Sequence, residues 1–194
     1  MVSGIAGGFQ RDGLSLGDVV IGDSVVGYEF VKYDNGQALP RYVPIDHPSL
    51  YLRHSIANPI SQDGSWANGI TLPRPDGTST RSKAHFGMIV SGDKIMGDPT
   101  SEVQSALLER FDKALAVDQE SYGVATCLFG HRAQPDYNPL YLLVRGISDL
   151  VGHTDNDEMR KKWRPYAAAA AAAFAKQVCD RLLKVPDQRL EEFR

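Results

Sequence analysis

The sequence predicts an α/β fold: a mixed, largely buried β-sheet flanked by helices. Three observations carry this. β-branched and apolar runs recur at residues 19–21 and 25–26, 84–90, 114–117 and 141–144, without the strict alternation of a sheet that has one wet face. Helix-forming stretches separate the later runs, which is the spacing of α/β architecture. With 194 residues the chain has the length of one domain and can bury a sizeable core.

In chain order, residues 1–9 (MVSGIAGGF) bring Gly4, Gly7 and Gly8 together with almost no strand before them. Glycines this close mark a tight turn, or a place where exposed N–H groups approach a ligand; the spacing is neither GxGxxG nor a P-loop. Residues 16–29 read as strand, bend, strand around Gly17, Gly22 and Gly27, and the proline-rich residues 32–46 read as a surface loop. A short helix is expected at 49–57. The Gly, Pro, Ser, Thr and Asp-rich stretch 58–82, with Trp66 and Ile70 as anchors, is either a lid or a surface insertion.

A strand at 84–90 stops at Ser91-Gly92-Asp93, and Thr100 N-caps a helix to about residue 112 whose Val103, Leu107 and Phe111 share a face. A short strand at 114–117 meets Asp118-Gln119-Glu120, and residues 123–129 form a buried helix. After a loop at 134–139, the run at 141–144 ends in Arg145, Gly146 and then Ser148-Asp149. Residues 163–183 form one long helix with Pro165 in its first turn; its alanines allow close packing on the sheet, or are plain helix formers. Three strand ends thus carry polar groups, Ser91/Asp93, Asp118/Glu120 and Ser148/Asp149, and three such endings suggest a shared cleft.

The composition excludes several classes. Lys and Arg total 21 against 24 Asp and Glu, a formal charge of −3 with no long run of either sign, so neither a nucleic-acid nor a membrane face is expected. No stretch has the roughly 18 consecutive apolar residues of a spanning helix. Cys127 and Cys179 lie far apart and read as reduced core thiols of a cytoplasmic protein. The five histidines show no HxxxH or HxH spacing, so no metal site is expected, and no serine sits in GxSxG.

Taken together, SGIAGGF at 3–9 followed by LGDVVIGD, FGMIVSGDKIM at 86–96, AVDQESYGVA at 116–125, LLVRGISDLVG at 142–152 and WRPYAAAAAAAFAKQV at 163–178 resemble the nucleoside phosphorylase superfamily, and within it the purine nucleosidase branch. The resemblance covers most of the chain. It implies a three-layer fold in which this chain is a single domain, 1–194, equivalent to the C-terminal two thirds of the family domain. The N-terminal part, with the group that activates the nucleophile, is then missing from it. The implied activity is cleavage of the N-glycosidic bond of a purine nucleoside or related nucleotide. The implied partners are a small-molecule nucleoside and further copies of the chain in a homo-oligomer, with no cofactor and with phosphate as the alternative co-substrate to water.

Carried over position by position, the resemblance puts the ribose-binding acid at Glu120 and the acid that assists departure of the base at Asp149. A carboxylate at Glu120 can accept two hydroxyl hydrogen bonds. An acid at Asp149 can give a proton to purine N7. Substrate contacts are implied at Gln119, Ser148, Ala6 and Gly7, and at Ile95 and Met96, where Ile95 replaces an aromatic residue common in the family. Arg145 is either an orienting group for Glu120 or an ordinary structural ion pair. Asp149 has the alternative reading of a helix N-cap, Glu120 that of a first-turn glutamate, and Asp118 is expected to be structural. Ile5 stands where relatives carry Ser or Thr, which favours hydrolysis over phosphorolysis. A second functional reading is a nucleoside-binding or regulatory domain without turnover.

Overall fold

A computed structural model describes residues 1–10, 13–29, 31–35, 37–40, 45–94, 100–132 and 139–184. Its strands are β1 (Val2–Gly8), β2 (Val19–Gly27), β3 (Val31–Asp34), β4 (Gln37–Pro40), β5 (Ile45–Asp46), β6 (Ala84–Ser91), β7 (Ala114–Asp118) and β8 (Leu143–Leu150). The helices are α1 (Asn58–Asp63), α2 (Glu102–Arg110), α3 (Ser121–Arg132) and α4 (Asn156–Leu182). The fold is mixed α/β with a central sheet flanked by helices, as expected. The sheet is not open, however. Its order is β5–β2–β6–β7–β1–β8, and β8 pairs again with β2, from Val19↔Gly146 to Ile21↔Val144, so that five strands close into a ring.

β6 runs parallel to β2 and β7, and β1 parallel to β8. The apolar runs lack alternation because both faces are buried. Val19, Ile21 and Val144 pack with Leu52, Trp66 and Phe174 on the α4 side, while Val20 and Leu143 join Ala6, Ile89 and Ile147 in a second core on the opposite side.

Several expectations are corrected. Residues 1–9 are not a turn: Val2–Gly8 is strand β1, with a register shift against β8 between Ala6 and Gly7. Its glycines serve close approach, since a Cβ on Gly4 would lie 2.2 Å from Arg145 Nη1. Residues 19–27 form one strand with a bulge near Gly22, not two strands. The expected loop at 32–46 contains the β3–β4 hairpin and β5. The helix expected at 49–57 takes π-helical form over Leu52–Ala57 and runs on into α1.

α2 is present, but the Val103 and Leu107 side chains and residues 133–138, which include most of the loop expected at 134–139, lie outside what is described; Phe111 is buried. α3 is only half buried, with Phe129 66% exposed, and both cysteines are exposed rather than core thiols. β8 extends through Asp149, because Arg145 and Gly146 continue the ladder instead of ending it. α4 begins well before residue 163, so Pro165 lies inside the helix, on its exposed side.

The alanine tract does pack closely. Ala167, Ala170 and Ala171 are fully buried, and a Cβ on Gly146 would lie 2.0 Å from the Ala167 carbonyl oxygen, which seats the α4 backbone on β8. The replacement Gly146→Ala must push helix and strand apart and is expected to cost about 3 kcal/mol or more. By contrast, a Cβ on Gly123 in α3 meets nothing within 4 Å, and Gly123→Ala is expected to raise stability by about 0.5–1 kcal/mol. Urea denaturation midpoints of the two variants check both.

Candidate active site

β7 and β8 run in opposite directions, yet their carboxyl ends meet. β1 lies between them and pairs with β7 only through its last residues, Gly7↔Val117 and Gly8↔Ala116, so the ends of all three strands converge. A cleft of about 270 Å³ opens there, lined by Ile5, Ala6 and Gly7 from β1, Val117 to Glu120 from the end of β7, Ser148, Asp149 and Val151, and Lys94, Arg160 and Arg164. Glu120, Gln119, Asp149, Ser148, Ala6 and Gly7 are thereby brought together. Ile95 and Met96 lie outside the described residues.

The floor is a buried ion pair. Arg145 points across Gly4, and its Nε lies 2.7 Å from Asp118 Oδ2, with both side chains at most 4% exposed. Ser121 completes the set: its Oγ donates to Asp118 and accepts from Arg145 Nε and Nη2 at 3.2 and 3.0 Å, while its N–H donates to Asp118 Oδ1. Asp118 therefore caps α3 and neutralises Arg145 in one stroke. Arg145 Nη2 also reaches Glu120 Oε2 at 3.4 Å, so it is both a structural partner and an orienting group for the exposed carboxylate. Glu120 precedes the first turn of α3.

One wall is the Ser91-Gly92-Asp93 turn after β6. Glu29 accepts from the Asp93 N–H at 3.1 Å and pairs with Lys94, and the Gln119 amide donates to the Asp93 carbonyl at 2.9 Å. Gln119 thus binds protein backbone at this edge of the cleft. Tyr28 donates its hydroxyl to the Lys94 carbonyl at 3.0 Å, and burial, reinforced by Glu29, pushes the phenol up to about 12.

The opposite wall carries Asp149, which is 3% exposed and sits within β8, not at a helix N-cap. Its Oδ1 accepts from Ser148 Oγ at 2.6 Å and its Oδ2 from Arg160 Nη2 at 3.0 Å. The hydrogen bond to Asp149 raises the Arg160 guanidinium pKa above its usual value. Arg160, Arg164 and Lys94 line the cleft and are not among the expected site residues. The run RKKWR at 160–164 was the available signal, because so many cations in five residues repel one another unless anions answer them. Among the described residues no three His, Cys, Asp or Glu side chains gather as a metal site requires.

This fold is that of a known family. A sequence profile described as the phosphorylase superfamily matches residues 1–184, and the chain belongs to that superfamily. Similar solved structures include the 5′-methylthioadenosine/S-adenosylhomocysteine nucleosidase of Neisseria meningitidis in complex with methylthio-immucillin-A, at 21% identity and a TM-score of 0.62 over 91% of this chain and 67% of that one. The nucleosidase of the same name from Colwellia psychrerythraea 34H, in complex with adenine, is 22% identical with a TM-score of 0.64 over 90% of this chain and 63% of that one. Futalosine hydrolase of Helicobacter pylori is 18% identical with a TM-score of 0.58, covering 92% and 66%. The chain thus spans about two thirds of the length of each. No curated protein sequence matches it, and among the described residues no helix is long and apolar enough to cross a membrane.

Two outcomes follow from the geometry. Asp118→Asn leaves buried Arg145 with only the exposed Glu120 as a counter-charge and is expected to cost about 3 kcal/mol in urea denaturation; a loss below about 1 kcal/mol would mean the pair is screened by water. Tyr28 is neutral in the folded protein up to about pH 12 but ionises near 10.0 when unfolded. The folded state holds this proton more tightly, so the stabilisation is complete below pH 10 and is lost as the pH rises toward 12. Stability measured from pH 9 to 11.5 should fall more steeply in the parent than in Tyr28→Phe.

Proposed function

We propose that the protein cleaves the N-glycosidic bond of a purine nucleoside or a related nucleotide, with water as the nucleophile. The observation that carries this reading is the Asp149 carboxyl, clamped by Ser148 and Arg160 in the same cleft as Glu120. As the bond from C1′ to N9 lengthens, electron density moves into the base and N7 becomes basic. Asp149 takes up a proton from solvent before the step and passes it to N7, and the carboxylate left behind meets two donors already in place. Glu120, steadied by Arg145, accepts the ribose hydroxyls and offsets positive charge growing on the sugar. Water adds to C1′ and loses a proton to solvent, from which Asp149 is reprotonated, and the neutral base leaves.

Ile5 supports water over phosphate, since its aliphatic side chain lines the cleft where a hydroxyl would hold the anion. On this reading the protein is a cytoplasmic homo-oligomer that needs no resident cofactor. A binding domain without turnover is the second reading, and the same aliphatic Ile5 favours it.

Release of free base from a panel of purine nucleosides and nucleotides tests the proposal. Asp149→Asn is expected to lower kcat by about 10²–10⁴-fold, and Glu120→Gln to lower kcat/KM. Saturable binding without turnover at any phosphate concentration selects the binding-domain reading instead, and absence of both binding and base release overturns the two together.

A further inference from the structure

Arg160 and Arg164 are one helical turn apart on α4, and both line the cleft. Like charges at this spacing repel, and although Arg164 is exposed to solvent it shares this wall with Arg160, so an anion seated there relieves the repulsion. Arg160 has Asp149 and Asp157. Lys94, the other cation of the cleft, has Glu29. Arg145 beneath has Asp118 and Glu120. Every carboxylate of the cleft is thus engaged by a cation other than Arg164, and among the described residues none lies within 4 Å of the Arg164 guanidinium.

A nucleoside offers three places for recognition: the base edge, the 2′ and 3′ hydroxyls, and the 5′ carbon. In the proposed function Asp149 takes the first and Glu120 the second, so an anion carried by the ligand is left to the third. We infer that the cleft selects nucleosides bearing an anionic 5′ substituent, a phosphate or a carboxylate, with Arg164 as the group that reads it. This rests on the proposed placement of base and ribose. A planar guanidinium suits either oxyanion because it can donate two parallel hydrogen bonds.

The test compares kcat/KM for base release from adenosine, adenosine 5′-monophosphate and adenosine-5′-carboxylic acid, and from inosine and its 5′-monophosphate, in the parent protein and in Arg164→Gln, Arg164→Lys and Lys162→Gln. Lys162 is an exposed cation of the same helix that does not line the cleft, so it reports the diffuse field alone. The expected result is a preference for at least one anionic form over its neutral parent of about tenfold to a hundredfold, the range of one charge-assisted contact. Arg164→Gln should remove most of that ratio, Arg164→Lys should keep part of it, and Lys162→Gln should leave it intact. The phosphate and carboxylate arms identify which anion is read.

Equal kcat/KM for neutral and anionic forms, a ratio insensitive to Arg164→Gln, or an equal loss in Lys162→Gln would each overturn the inference. So would inorganic phosphate accelerating the neutral nucleosides, since the anion would then be the nucleophile. If no base is released from any compound, the proposed reaction falls, and calorimetric binding of adenosine and adenosine 5′-monophosphate decides the inference by itself. Tighter binding of the monophosphate that depends on Arg164 upholds anion selection, and equal or absent binding ends it.

Discussion

Arg145 is a cation held where water does not reach, and much of the architecture follows from keeping it neutralised. It needs a carboxylate within hydrogen-bond range, which Asp118 supplies from the end of the neighbouring parallel ladder. It needs room, which Gly4 supplies by having no side chain. Satisfying the carboxylate's remaining capacity brings in Ser121, and this fixes where α3 starts. One buried guanidinium therefore ties β8, β7, β1 and α3 into a single unit. Removing any one partner would expose the others to an unpaired charge in a low-dielectric interior.

The cleft inherits its order from that unit. Glu120 immediately precedes the capped start of α3 and leans on the same arginine, while Asp149 lies four residues along β8 from that arginine. The second arginine, Arg160, reaches the cleft because α4 lies on β8 with backbone against backbone at Gly146 and Ala167. Had a larger residue stood at 146, the helix would ride outward and the clamp on Asp149 would open. Stability and site geometry are thus set by the same small residues.

The sequence revealed the buried strands, the long C-terminal helix and the gathering of polar strand ends, because unbroken β-branched runs and helix-forming tracts are local signals. It was silent where a residue's meaning lies in a distant neighbour. Gly4, Gly7 and Gly8 look like turn residues until Arg145, Val151 and Ile147 are seen to fill the space above them in turn. Asp149 looks like a helix cap until the ladder is seen to continue through it. Cys127 looks like a core thiol because its surroundings are apolar, yet α3 covers the sheet with only one side. Arg160 acquires a role only once α4 is laid beside β8. Ring closure was the hardest to foresee, since nothing in β2 distinguishes a strand that pairs on two sides from one that also accepts a third partner.

That closure bears on how the protein is made. β2 is synthesised early and β8 late, and until β8 has left the ribosome the N-terminal half of β2 has an open edge. β1 waits for the same strand, since most of its ladder is with β8. A nascent chain stalled before residue 143 therefore carries two unpaired strand edges of a mostly apolar core, the kind of surface that chaperones shield and that pairs with other chains when left bare.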